Sequence, residues 1–315
     1  MLAWFLPLFL IFLMIGVPVY FAMLAAPGFM LYFNGQERDI ALMYRNLFNG
    51  IDNGVLLAIP FFMLAGELMN KAGITERLVA FSQTIIGSVR GGLAQVNILS
   101  SMLFAGMSGS AVADTSALGS MLIPAMEKQG YTRKFAAAIT AASSVIGPII
   151  PPSGIMIIYA YVMEVSVAAL FAGGIIPGIL VGLGLMIVTR LMANKYEFPP
   201  AKRFVIEGVS ISTAENFAAR IIARLMVASL LYPLVVKLFN VDLGSSSTNL
   251  SFHFAGALIV TEVLFQIQRR LVSNEFRIVA KRAVLPLLTP VIILGGILGG
   301  VATPTEASAL AVAYT

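Results

Sequence analysis

Two short segments of this chain hold the residue types from which an ion or small-anion site can be built. The first is Gly106-Met107-Ser108-Gly109-Ser110, followed by Asp114. The second is Gly147-Pro148-Ile149-Ile150-Pro151-Pro152-Ser153-Gly154. Hard cations take oxygen ligands, and serine hydroxyls and unbonded backbone carbonyls supply them without a net charge. A helix that restarts after a break also presents a partial positive charge suited to a carboxylate. Asp114 is the only charged residue between Arg90 and Glu127. An acid in such apolar surroundings defaults to a functional role. Each feature has a plainer reading beside it. Small residues permit close helix packing, prolines kink helices, and an acid can simply cap or bond a neighbouring helix arm.

The segments that carry these residues have informative lengths. Between Arg90 and Glu127 lie 36 residues with Asp114 the sole charge. One bilayer crossing needs about 20 apolar residues and two need over 40, so this stretch suits neither. It suits a helical hairpin over about 91–126 that enters and leaves on one side, with its tip near Ser108-Gly109. Between Lys134 and Glu164 lie 29 residues, centred on three prolines within five positions. That density predicts a crossing helix, about 135–163, broken in its middle, and such exposed backbone is tolerated only against protein or a water-filled cavity. Ser101, farther down the first hairpin arm, falls outside either centre.

The rest of the chain is consistent with a bilayer as solvent. It is 59% hydrophobic and 11% charged over 315 residues, where soluble domains carry roughly 25% charged residues. Leu2 to Phe33, interrupted by Gly16-Val17-Pro18, predicts a tilted or kinked helix. Ser166 to Thr189 predicts a further span. If the hairpin is re-entrant, Lys71, Arg77, Arg90, Lys128, Arg133, Lys134, Arg190, Lys195, Lys202 and Arg203 share one side, which the positive-inside bias makes cytoplasmic. Residues 205–281 break the pattern with more charge, shorter apolar runs (Leu225 to Val236 and Phe254 to Val260) and a loop at Gly244 to Thr248. They read as an atypical insert, poorly packed on its surroundings, between a first repeat at 1–204 and the start of a second, truncated one at 282–315. A faint echo links Val17-Pro18-Val19 to Thr303-Pro304-Thr305, each followed by an Ala-rich helix.

Several function classes lose their residues. There is no cysteine, so thiol chemistry is excluded, and the one histidine, His253, leaves little for a triad or a His-rich metal site. There is no His-Glu-x-x-His and no nucleotide-binding loop. An intramembrane aspartyl protease would need a second membrane aspartate. The net charge of +5 sits in loops between apolar runs and does not indicate nucleic-acid binding. A secondary transporter, a passive channel and a structural membrane subunit remain.

The segments around 106–114 and 146–153 resemble the large membrane subunit of tripartite ATP-independent periplasmic (TRAP) transporters. So do Gly16-Val17-Pro18, Leu57 to Gly66, Gly173 to Gly178 and Ala302 to Ala307, in the same order. The resemblance covers roughly 1–204 and 282–314. It implies an all-α polytopic protein of the bacterial inner membrane, with an inverted-repeat ion-transporter fold containing a re-entrant hairpin and a broken helix. It implies sodium-coupled import of organic acids, of the sialic acid or C4-dicarboxylate class, by an elevator movement and not an enzymatic reaction. The implied partners are a small four-helix membrane subunit and a periplasmic substrate-binding protein. By the family pattern the sodium ion lies among Ser108, Gly109, Ser110, Gly147, Ile150 and Pro152. Ser110, Asp114 and Ser153 are the expected substrate contacts. Glu306, after a Thr-Pro-Thr bend, reads either as a helix-start acid or as a direct substrate or ion contact.

Overall fold

The computed structural model describes residues 2–195, 198, 213–238, 261–262, 265–266 and 274–315. The stretch 244–248, His253 and the run 254–260 lie outside the described residues. The chain divides into two compact units, Met1–Leu56 and Leu57–Thr315.

The first unit comprises α1 (Leu2–Met14), α2 (Val19–Phe33) and α3 (Glu37–Ile51). The expected single kinked helix over Leu2 to Phe33 is instead a pair that folds back on itself. Phe12 and Phe29 meet in a tilted ring pair with centroids 5.6 Å apart, whereas seventeen residues of straight helix would separate them by about 25 Å. The reversal follows from Gly16, which turns through φ +91°, and Pro18, which caps α2 and lacks an N–H. An apolar run containing Gly-Val-Pro is compatible with a kink and with a turn, and the positive φ selects the turn.

The second unit holds α4 (Ala58–Lys71), α5 (Ile74–Ile86), α6 (Gly92–Ser108), α7 (Ala111–Lys128), α8 (Arg133–Ser144), α9 (Gly154–Val162), α10 (Val167–Lys195), α11 (Thr213–Leu238), α12 (Asn274–Leu298) and α13 (Pro304–Tyr314). Its centre is α6, buried over nearly its whole length, with α5, α7, α8 and α10 packed around it. The α6–α8 contact is polar. The Asn97 Nδ2 donates to Thr140 Oγ1 at 2.7 Å, Ser101 Oγ to Ser143 Oγ at 2.9 Å, and Ser143 Oγ to Asn97 Oδ1 at 3.3 Å, all four residues being buried. Such interhelical bonds replace water where none is available. Ser101 therefore belongs to the contact between the hairpin arm and α8.

By length and composition, Val167–Ala193 and Phe276–Leu298 are long and apolar enough to cross a bilayer. Only 22% of the most apolar part of the first is buried. Its Ile176, Leu180, Ile187 and Leu191 are all exposed, a pattern suited to an apolar medium and costly in water.

Within 205–281, α11 runs through Pro233 as one helix and packs on α12. Arg77 Nη1 of α5 meets Glu215 Oε1 of α11 at 2.7 Å. Where described, this region is thus packed on its surroundings, contrary to the expectation of loose packing. The sequence echo has a geometric counterpart. As α1 turns at Gly16 into α2, α12 turns at Gly300 (φ +68°) into α13, and Tyr314 Oη donates to the Leu285 carbonyl at 3.0 Å as α13 folds back.

Candidate ion and substrate site

The helix α6 ends at Ser108, Gly109 takes the left-handed conformation at φ +59°, and α7 restarts after Ser110. The tip expected near Ser108-Gly109 lies there. The two arms pack on each other, so 92–128 is a helical hairpin. The break expected at the three prolines occupies 145–153, between α8 and α9, with a cis Pro151-Pro152 peptide.

These two interruptions meet. A Cβ on Gly109 would fall on the Pro152 carbonyl oxygen and lie 3.0 Å from Ser153 Cα. A Cβ on Gly147 would lie 2.6 Å from Asp114 Oδ2 and 3.2 Å from the Ser110 carbonyl carbon. The two glycines therefore permit an approach that no other residue would. Two further elements close on the tip. A Cβ on Gly66 of α4 would meet Ser108 Cα at 3.4 Å, and one on Gly106 would meet Pro290 of α12 at 3.3 Å.

The side chains divide into two groups. Ser110 is the N-cap of α7, its Oγ accepting from Ala113 N, and Ser153 is the N-cap of α9, accepting from Met156 N, both at 3.4 Å. Each hydroxyl is spent partly on its own helix start. Asp114 is fully buried, and its Oδ1 accepts from Ser108 Oγ. Its Oδ2 is buried without a hydrogen bond and points at Gly147. Asp114 is thus part of the tip-to-break contact. No donor among the described residues is hydrogen-bonded to the carbonyls of 147–152. A buried carboxylate oxygen, carbonyls without donors and serine hydroxyls in one tip-to-break contact offer oxygen donors of the kind a hard cation takes, and each unpaired group is costly without a partner. Ser108, Gly109, Ser110, Gly147 and Pro152 meet here, whereas Ile150 bonds back to the Ile146 carbonyl and lays its side chain against Gly178 of α10. The sequence reading makes Asp114 a substrate contact, and the structure sets it against Ser108 and Gly147. The signal for that position was its being the sole charge between Arg90 and Glu127, in the first turn after the tip.

Glu306 lies elsewhere. It closes a capping box with Thr303, accepting from Thr303 N and Oγ1 at 2.8 Å while Thr303 Oγ1 accepts from Glu306 N. The helix-start reading accounts for it. Among the described residues no group of three His, Cys, Asp or Glu could hold a metal ion.

The sequence profile described as "Tripartite ATP-independent periplasmic transporter, DctM component" matches residues 6–315. Protein YgiK of Salmonella typhimurium is 35% identical over 309 residues, 98% of this chain and 56% of its own length. The sialic acid TRAP transporter large permease protein SiaM of Vibrio cholerae is 34% identical over 300 residues, 95% of this chain and 54% of its own length. The C4-dicarboxylate TRAP transporter large permease protein DctM of Pseudomonas aeruginosa is 33% identical over 269 residues, 85% of this chain and 47% of its own length. The chain spans about half the length of the curated relatives it matches. With the profile running through both the hairpin tip and the helix break, the chain belongs to the DctM component family of TRAP transporters, multi-pass permeases of the inner membrane and not enzymes.

Proposed function

We propose that this chain serves a sodium-coupled permease for organic acids of the sialic acid or C4-dicarboxylate class, and that the hairpin tip and helix break hold the sodium ion. The observation that carries this reading is the unpartnered Asp114 Oδ2 lying against Gly147, in a break whose carbonyls at 147–152 accept no hydrogen bond from the described residues. Asp114 supplies the charge, Ser108 orients it, and the carbonyls near Gly147, Ile150 and Pro152, with Ser110, complete an oxygen shell. The organic acid is received from a periplasmic binding protein, beside a small four-helix membrane subunit. The ion sits where α7 and α9 begin, so two helix N-termini with their serine caps, Ser110 and Ser153, flank it and favour the substrate's carboxylate. The hairpin body then moves relative to a scaffold as an elevator.

Sodium binding is testable without transport. Sodium chloride, but not choline chloride, is expected to raise the unfolding midpoint of the purified chain. A ligand present at 100 times its Kd adds about 2.7 kcal/mol. Asp114→Asn should abolish that increment, and Ser110→Ala should weaken it beyond what Ser110→Thr, which keeps the cap, does. Sodium-dependent stabilisation unchanged in both Asp114→Asn and Ser110→Ala would remove the assignment. In liposomes with the partner proteins, an imposed sodium gradient should drive organic acid uptake, which a passive channel would not require.

The membrane orientation is tested separately. Cysteines placed at Lys71 and at Lys128 should both react with an impermeant maleimide from the cytoplasmic side. Labelling from opposite sides would make 92–128 a crossing and not a re-entrant hairpin.

A further inference from the structure

Away from the tip, at the base of the hairpin, a cavity of about 410 Å³ lies between α5, α6, α7 and α12. Leu93, Leu122, Ala125 and Val279 give it apolar walls, and Glu76, Arg77 and Arg282 bring charge to it. Arg77 is engaged by Glu215 at 2.7 Å, and Glu76 is exposed. Arg282 differs from both, because its Nε is buried and has no hydrogen-bond partner. A guanidinium N–H taken from water and left unpaired costs a few kcal/mol. An arginine beside apolar walls therefore calls for an anion that brings its own apolar part.

The position narrows the choice. α12 runs alongside α6, with Val279 and Arg282 near Leu93 at the base and Pro290 against Gly106 near the tip. The base is the end that carries Lys71, Arg90, Lys128 and Arg133. Arg220, Arg277 and Lys281 line a separate, smaller cavity between α11 and α12. Basic pockets between membrane helices on the cytoplasmic side suit anionic headgroups. Guanidinium geometry also matches a phosphodiester.

We propose that this cavity is a phospholipid site, in which Arg282 holds the phosphodiester of an anionic lipid while an acyl chain lies against Leu93, Leu122 and Val279. Its occupant would link the hairpin arms to α12 at the membrane surface.

The test is native mass spectrometry of the delipidated full chain in detergent, with phosphatidylglycerol, phosphatidylcholine and inorganic phosphate as probes. One phosphatidylglycerol per chain is expected to be retained, at least tenfold more strongly than phosphatidylcholine, with millimolar phosphate not competing. Arg282→Gln should lower retention at least tenfold, and Arg282→Lys should recover part of it. Ala125→Trp, which fills the cavity and leaves every charge in place, should also displace the lipid. Should Arg282→Gln not fold, Ala125→Trp decides alone. Wild-type retention in Ala125→Trp, or equal binding of phosphatidylcholine, would overturn the proposal, and full competition by inorganic phosphate would assign the pocket to a free anion instead.

Discussion

Gly147→Val is expected to lower sodium affinity roughly a hundredfold, the scale of loss that follows a displacement of about 1 Å in a site that depends on position. The first added carbon would lie 2.6 Å from Asp114 Oδ2 and 3.2 Å from both the Ser110 carbonyl carbon and the Ser144 carbonyl oxygen. Two of those three neighbours are backbone atoms. The third is a short side chain already bound to Ser108. None can swing away, so the tip and the break must separate, and the two further methyl carbons of valine widen the gap. Overpacking of this kind costs about 1–3 kcal/mol in stability, small enough to leave a folded protein whose sodium response can be measured. Sodium-induced stabilisation equal to wild type in a folded Gly147→Val protein would show that the cation does not lie between Asp114 and the break.

Gly109→Ala is expected to have a comparable effect from the other side of the same contact. Its φ of +59° is a conformation that costs an L-residue roughly 1–2 kcal/mol. In addition, its Cβ would fall on the Pro152 carbonyl oxygen. Strain and collision act together, so the variant should lose about 3 kcal/mol or more of stability along with its sodium response. Gly173→Ala is the matched control. Nothing lies within 4 Å of the added carbon, and the residue sits inside α10, so alanine should leave the sodium response intact and stabilise the helix by roughly 0.5–1 kcal/mol. Equal melting temperatures for the two variants would contradict the described packing at the tip.

The hairpin tip and the helix break were both legible in the sequence. Charge spacing located the hairpin because a run of 36 residues with a single charge is the wrong length for one or two crossings. Proline density located the break because three missing donors cannot be absorbed by one helix. What the pattern could not supply was direction. The run Leu2 to Phe33 is apolar on every side, so nothing in it distinguishes a kink from a reversal. Only the φ of Gly16 does. The same limit applies to Asp114. Its place in the hairpin follows from the sequence, but its contact with Ser108 and Gly147 depends on how closely α7 approaches the break. In α11, Pro233 and Lys237 suggested a short segment, yet the helix continues through both to Leu238. Packing on α12 and the Arg77–Glu215 pair are long-range terms that a local reading does not contain.

The hydroxyl and amide contacts between α6 and α8 bear on register. Membrane helices facing each other through methyl groups alone can slide by a residue at little cost, since one greasy surface serves nearly as well as the next. Asn97, Ser101, Thr140 and Ser143 remove that freedom. Sliding α6 past α8 by one step would break the 2.7 Å and 2.9 Å bonds together, at roughly 0.6 kcal/mol or more for each. These four side chains act as a ratchet pawl some two to three turns below the tip. They fix how far Ser108 stands above Ser144, and with it the distance from Asp114 to the opened backbone of the break.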